Sequence, residues 1–253
     1  MHRLDARVKL VLVLAYVLTT ALAPQGAWAV YLLLFSLVTA AYILSELPLK
    51  KVYLRSLIAL PFALAALPLI FTLPGPAWFS LKLGQITLTA STTGAERAIS
   101  ILLKVWLSVQ AGIFLSAVTS RNALLAAMRA LKLPRLLVSV MGLMWRYLDL
   151  MIAEARRLLR ARASRSTSSP LTGQRNGGKI SWRAKVTGGM AGSLMLRSLE
   201  RSERVYQAML SRGYDGESRE TRHHPLTGKD RLILFSGLVV LLGINLLALL
   251  WTL

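Results

Sequence analysis

The chain has 253 residues, with 31 Lys and Arg against 11 Asp and Glu for a formal net charge of +20, yet 55% of it is hydrophobic and its mean hydropathy is +0.53. Long near-uncharged runs at that average disfavour an ordinary soluble domain and favour a membrane protein with several spans. With no cysteine and three histidines, the composition also argues against a disulfide framework, a zinc cluster and thiolate chemistry.

The first apolar run extends from Val8 to Ala23; after Pro24-Gln25-Gly26 a second continues from Ala27 to Leu44. Proline and glycine at the break predict two helices joined by a tight turn rather than one long helix. A third run covers Leu57 to Leu73 and stops before Pro74-Gly75-Pro76, a fourth covers Ala98 to Val118 with Lys104 inside it, and a fifth covers Leu232 to Trp251. The runs are long enough to span a bilayer, the first and third with help from flanks or tilt. The opening basic-then-apolar stretch has the outline of a cleaved signal, but the immediate second span favours an uncleaved first helix. Between the third and fourth runs, Trp78 to Leu88 alternates in polarity and predicts a short hairpin or extended interfacial segment turning at Gly84-Gln85.

Basic residues orient the chain. Arg3, Arg7 and Lys9 precede the first span, Lys50, Lys51 and Arg55 separate the second from the third, and a dense basic region separates the fourth from the fifth. The positive-inside bias then places the amino terminus in the cytoplasm and, after five crossings, the carboxyl terminus outside. Leu136 to Ala153 is a poor additional lipid-facing helix, because Arg146 and Asp149 would fall within it. The expected organisation is a membrane domain with four spans over residues 1–119, a basic cytoplasmic domain over 120–231 and a transmembrane helix over 232–253. The fold class is all-α: a multi-span helical membrane protein with amphipathic cytoplasmic helices.

Residues 120–231 hold 22 of the 31 basic and 8 of the 11 acidic residues. Three helices are predicted there, about Arg121 to Ala130, Pro134 to Ala163 and Gly188 to Leu210, with Ser164 to Ser181 as a mobile linker. Leu136, Val140, Met144 and Leu148 form part of an apolar stripe; such a face can pack on its own chain, lie at the bilayer surface or dock into a partner. The most informative local pattern is a repeat. Arg157 to Arg165 lays over Arg204 to Arg212, matching Ala161 with Ala208, Ser164 with Ser211 and Arg165 with Arg212. Alanine permits close approach, and an arginine at a helix's carboxyl-terminal end offers a fixed fork to carboxylates. Gly213 can terminate the second helix. Two like helix ends point to two equivalent docking surfaces, such as those of a dimeric partner; the alternative is chance similarity between two arginine-rich helices.

On these residues the chain resembles the transmembrane T-component of energy-coupling factor transporters. Asp5-Ala6-Arg7-Val8-Lys9-Leu10 is similar to that family's amino-terminal motif, with Ala6 in place of proline. Pro134, Arg146-Tyr147 and Glu154 are similar to its lead into the first coupling helix. Ser164-Arg165-Ser166 and Ser211-Arg212-Gly213 fall at its two Ala-Arg-Gly motifs, Ser166 standing where glycine is expected. The resemblance implies coupling helices that dock onto two cytoplasmic ABC-type ATPase subunits, which carry the ATP and Mg. It implies no catalytic residue, resident cofactor or metal ligand in this chain. Its other implied partners are a metal-binding membrane substrate component, a small accessory membrane subunit and lipid, with no nucleic acid, all in the cytoplasmic membrane of a bacterium or archaeon. Met209 to Glu217 resembles the second motif of the cobalt-transport, Q-type branch, which makes the cobalt ion the expected cargo. A nickel or vitamin T-component, or a membrane-bound regulatory module binding lipid or protein, are the alternatives. Gly173 to Lys179 begins like a phosphate-binding loop, but Ile180 stands where Ser or Thr is required and no hydrophobic strand precedes it. His223 and His224 read as surface histidines rather than metal ligands.

Overall fold

In the computed structural model the described residues are 4–59, 61, 64–72, 74, 76–83, 86–165, 180–215 and 226–250. The chain divides into two compact units, Met1–Ala130 with His223–Leu253, and Leu131–Arg222.

The first unit opens with α1 (Ala6–Leu22), and Asp5 accepts the Arg7 backbone N–H at 2.9 Å as its amino-terminal cap. After the Pro24-Gln25-Gly26 turn comes α2 (Trp28–Leu44), so the expected pair of helices is present. The turn is tied from two sides: the Tyr31 hydroxyl donates to the Pro24 carbonyl at 2.9 Å, and the Gly26 N–H donates to Ser100 Oγ at 3.2 Å. There follow α3 (Leu49–Ser56), a 3-10 turn at Leu57–Ala59 and a short α4 (Leu69–Thr72). Among the described residues the third apolar run is therefore not one helix. Residues 65–68 form a turn, and the short helix begins only after Pro68, which has no N–H and restricts the residue before it. Strand β1 (Ala77–Leu83) pairs antiparallel with β2 (Ile86–Ser91), Leu83 opposite Ile86. This matches the hairpin expectation, although Gly84-Gln85 lies outside the described residues. The unit is completed by α5 (Thr92–Val118), α6 (Arg121–Ala130) and α9 (Gly228–Leu250).

Its core is formed where α1, α2, α5 and α9 meet, around Tyr16, Leu34, Tyr42, Leu107 and Ile244. Trp106 lies between Phe35 and Tyr53, with ring centroids 5.6 and 6.0 Å away, and donates to Ser56 Oγ at 3.0 Å. Polar side chains inside these helices fold back onto their own backbones, as with Thr20 Oγ1 onto the Tyr16 carbonyl at 2.8 Å. Asn245 bridges α9 to α1 through Thr19 Oγ1 at 3.0 Å. The outer surface is the reverse of a soluble protein's: Leu18, Leu32 and Phe235 are 61, 68 and 72% exposed. Helices that satisfy their backbone internally and turn large apolar side chains outward suit hydrocarbon as solvent. The chain is an all-α membrane protein with one small hairpin. Among the described residues α5, α9 and Arg135–Arg165 are long and apolar enough to cross a membrane, and α2 is a shorter apolar helix.

The second unit consists of α7 (Arg135–Arg165) and α8 (Ile180–Leu210). Residues 166–179 between them lie outside the described residues, and with them the linker's central part, Ser166 and the phosphate-loop-like stretch. Pro134 precedes the first turn of α7, where a missing N–H costs nothing, and its carbonyl accepts the Val138 N–H at 3.3 Å. The expected start of the second helix at Gly188 is corrected: α8 begins at Ile180, and Gly188, Gly189 and Gly192 are internal to it. Glycine's poor helix propensity marks that stretch as a boundary in the sequence. Contacts to α7 nearby, including Arg162 with Thr187, accompany continued helix through it.

Candidate functional site

The two helices of the second unit run antiparallel. Arg162 Nη1 on α7 donates to Thr187 Oγ1 on α8 at 3.0 Å, and Arg197 Nη1 on α8 donates to Glu154 Oε1 on α7 at 2.7 Å. Farther along, Ser139, Leu143, Arg146 and Tyr147 of α7 share a cavity with Val205, Ala208, Met209, Arg212 and Tyr214. Residue numbers rise along one helix as they fall along the other. The carboxyl-terminal ends of α7 and α8 consequently lie at opposite ends of the pair, roughly 40 Å apart at a helical rise of about 1.5 Å per residue.

Those ends are built alike. On α7 the Ser164 hydroxyl donates to the Ala161 carbonyl at 3.0 Å, and on α8 the Ser211 hydroxyl donates to the Ala208 carbonyl at 3.0 Å. In each case the next residue, Arg165 or Arg212, is an exposed arginine, and the alanine is exposed as well. On α8 the serine satisfies a carbonyl that lacks an intrahelical donor, because the helix's last such backbone bond runs from Ser211 N–H to the Gln207 carbonyl. The second end is closed by a full Schellman motif: Tyr214 N–H donates to the Met209 carbonyl at 3.0 Å, Gly213 N–H to the Leu210 carbonyl at 2.9 Å, and Gly213 has φ +74°. Ser166, the corresponding position after Arg165, is outside the described residues.

The cavity at the Arg212 end has a volume of about 360 Å³. It brings Arg146 and Tyr147, from the lead into α7, beside Ala208 and Arg212 from the end of α8. A neighbouring cavity of about 340 Å³ continues along the same helices past Met151, Ser198 and Tyr206. Two guanidinium groups over an apolar floor suit a partner that presents a carboxylate beside apolar side chains. Among the described residues no group of three or more His, Cys, Asp or Glu is placed to hold a metal ion. His223 and His224 lie outside the described residues.

Glu154 also pairs with Arg157 at 3.3 Å, the i,i+3 partner on its own helix. Its bond to Arg197 was not legible, because it depends on which faces of α7 and α8 meet. Tyr214 was also missed, though its signal is present: a residue after a helix-ending glycine commonly folds back onto the last turn. Asp5, Arg7 and Lys9 belong to the first unit. There Asp5 caps α1 and lies 3.9 Å from Arg7 Nε, and Lys9 Nζ donates to the Val118 carbonyl at 3.3 Å.

Residues 1–224 match the family model CbiQ, cobalt transport protein. An energy-coupling factor transporter transmembrane protein EcfT of Limosilactobacillus fermentum is 26% identical, over 96% of this chain and 91% of its own. The protein of the same name from Listeria innocua is 27% identical, over 96% of this chain and 92% of its own. An uncharacterized protein of Methanocaldococcus jannaschii is 24% identical, over 95% and 80% respectively. The chain belongs to the CbiQ cobalt transport protein family.

Proposed function

We propose that this chain is the transmembrane coupling component of an ATP-driven energy-coupling factor importer whose cargo is the cobalt ion. As a member of its family it is a membrane subunit of a transporter, not an enzyme. In this reading α7 and α8 are the coupling helices. Arg165 with Ala161 and Ser164 seats one of two cytoplasmic ABC-type ATPase subunits, and Arg212 with Ala208, Ser211 and Gly213 seats the other. Those subunits hold ATP and Mg, and a separate membrane subunit captures the metal. The chain crosses the membrane several times with its amino terminus in the cytoplasm, and residues 120–231 form the coupling domain between the spans of 1–119 and 232–253.

The observation that carries this reading is the pair of like helix ends, each a serine bonded back to an alanine carbonyl and followed by an exposed arginine. Placed at opposite ends of an antiparallel pair, they suit a partner with two equivalent grooves. An arginine buried there against a carboxylate makes a charge-assisted bond, and truncating it strands the partner's charge at a cost of about 2 to 5 kcal/mol. Arg165→Ala and Arg212→Ala are each expected to weaken recovery of the ATPase with this chain and to lower cobalt uptake, and the double variant to abolish both. Full ATPase recovery and full uptake in the double variant would refute the assignment. Uptake of nickel in preference to cobalt by the intact assembly would move the cargo, leaving the coupling role in place.

A further inference from the structure

α1 and α5 run antiparallel, and each ends against a lysine of the other. Lys9, in the first turns of α1, donates to the carbonyl of Val118, the last residue of α5, at 3.3 Å. Lys104, within α5, donates to the carbonyl of Ala21 in the last turn of α1 at 3.1 Å. The last carbonyls of a helix lack intrahelical donors and carry the negative end of its dipole, so a cation placed there is favourable on both counts.

The two lysines hold very different joints. The end of α1 leads into the Pro24 to Gly26 turn, which Tyr31 and Ser100 already tie down. The end of α5 leads through Thr119 and Ser120 alone into α6, whose first turn Ser120 caps through the Ala123 N–H at 3.3 Å. α6 ends at Ala130, the last residue of this stretch of the first unit. Lys9 is 6% exposed, and Val8 and Leu10 beside it are also buried. Three consecutive residues of a helix point in three directions about 100° apart, so α1 is enclosed on most sides at this level. Along its length α1 packs on both α5 and α6. The Thr119 hydroxyl at the joint is buried with no hydrogen-bond partner among the described residues, a cost that a turn of the joint can relieve.

We infer that Lys9 is a positioning residue of the transport cycle. By gripping the last carbonyl of α5 it holds the Thr119-Ser120 joint, and with it the start of α6, against α1. Movement that enters the first unit along the chain at α6 then reaches α1 and α5 and is not dissipated at Thr119-Ser120. The inference rests on the coupling function proposed above.

The test uses the intact transporter assembly in proteoliposomes, with cobalt(II) uptake measured per ATP hydrolysed. Lys9→Met is expected to retain the ATPase and its hydrolysis but to carry about fivefold less cobalt per ATP, or lower still, within the range of ordinary coupling changes. Lys9→Arg, which keeps a cation for the carbonyl, is expected to recover to within about twofold of the unaltered chain. Lys104→Met, at the other joint, should keep the unaltered ratio. An unaltered ratio in Lys9→Met overturns the inference, as does an equal loss in Lys9→Met and Lys104→Met, which would make both lysines merely stabilising. Should Lys9→Met not assemble, Lys9→Cys with Val118→Cys provides a second route, because the chain has no cysteine of its own. Joining the pair with a short bifunctional thiol reagent is expected to raise the ratio, and a ratio that stays low after joining overturns the inference. If the unaltered chain recovers no ATPase at all, the coupling function itself fails and takes the inference with it.

Discussion

At the scale of single residues, two helix ends solve one problem with different side chains. α2 closes with the Leu47 N–H on the Tyr42 carbonyl at 3.3 Å and the Glu46 N–H on the Ile43 carbonyl at 3.1 Å, the same two bonds that close α8 around Gly213. Glu46 must take φ 54° to do so, a conformation in which Cβ crowds the backbone and glycine does not. Glu46→Gly is therefore expected to stabilise the protein by about 1 kcal/mol, and Gly213→Ala to destabilise it by a similar amount, each read as a shift in the unfolding midpoint in detergent. A lowered midpoint for Glu46→Gly would mean that the carboxylate makes a contact worth more than the strain. Gly213 was legible in the sequence, since glycine after an apolar-periodic run is a standard stop. Glu46 was not, because nothing in Ser45-Glu46-Leu47-Pro48 announces a left-handed residue.

At the scale of elements, the sequence was read best where the backbone itself carries the signal. Pro24-Gln25-Gly26 separates α1 from α2 because it removes a donor and permits a positive φ, here 78° at Gly26. The third apolar run is not one helix among the described residues; composition counts apolar residues and overlooks the turn over 65–68, where Pro68 brings no N–H. Close approach of elements is another thing composition cannot show. A Cβ on Gly94, in the first turn of α5, would lie 2.5 Å from the Leu69 carbonyl oxygen and 2.9 Å from the Ile70 Cα. Backbone atoms cannot swing aside, so Gly94→Ala is expected to cost about 1 to 3 kcal/mol by prising α4 from α5, measurable as a loss of thermal stability. An unchanged midpoint would show that this contact is looser than described. Between α7 and α8, Glu154 with Arg197 is well aligned at 2.7 Å, but the arginine is 58% exposed. A double-mutant cycle with Glu154→Gln and Arg197→Met should return a coupling below about 1 kcal/mol; a much larger value would make this pair a structural pin of the helix pair.

At the scale of the whole molecule, the +20 charge and the apolar majority are reconciled by being kept apart along the chain. The apolar side chains face outward from the bundle of the first unit, and most of the arginines lie on or beside α7 and α8. Repetition made the candidate site legible, because Ala161, Ser164 and Arg165 recur as Ala208, Ser211 and Arg212 at the same spacing. Its floor was not legible, because Arg146 and Tyr147 meet Arg212 and Tyr214 only through the antiparallel run of two helices. If two like ends at opposite ends of one helix pair are two seats for one kind of partner, the number of partners follows. Native mass spectrometry of the assembly isolated gently from its own membrane measures it directly. The account predicts one copy of this chain with two ATPase subunits and a further membrane protein, falling to one ATPase subunit in Arg165→Ala or Arg212→Ala. Recovery of this chain with no ATPase from membranes that demonstrably keep other assemblies intact, or two ATPase subunits undiminished when both arginines are replaced, would contradict it.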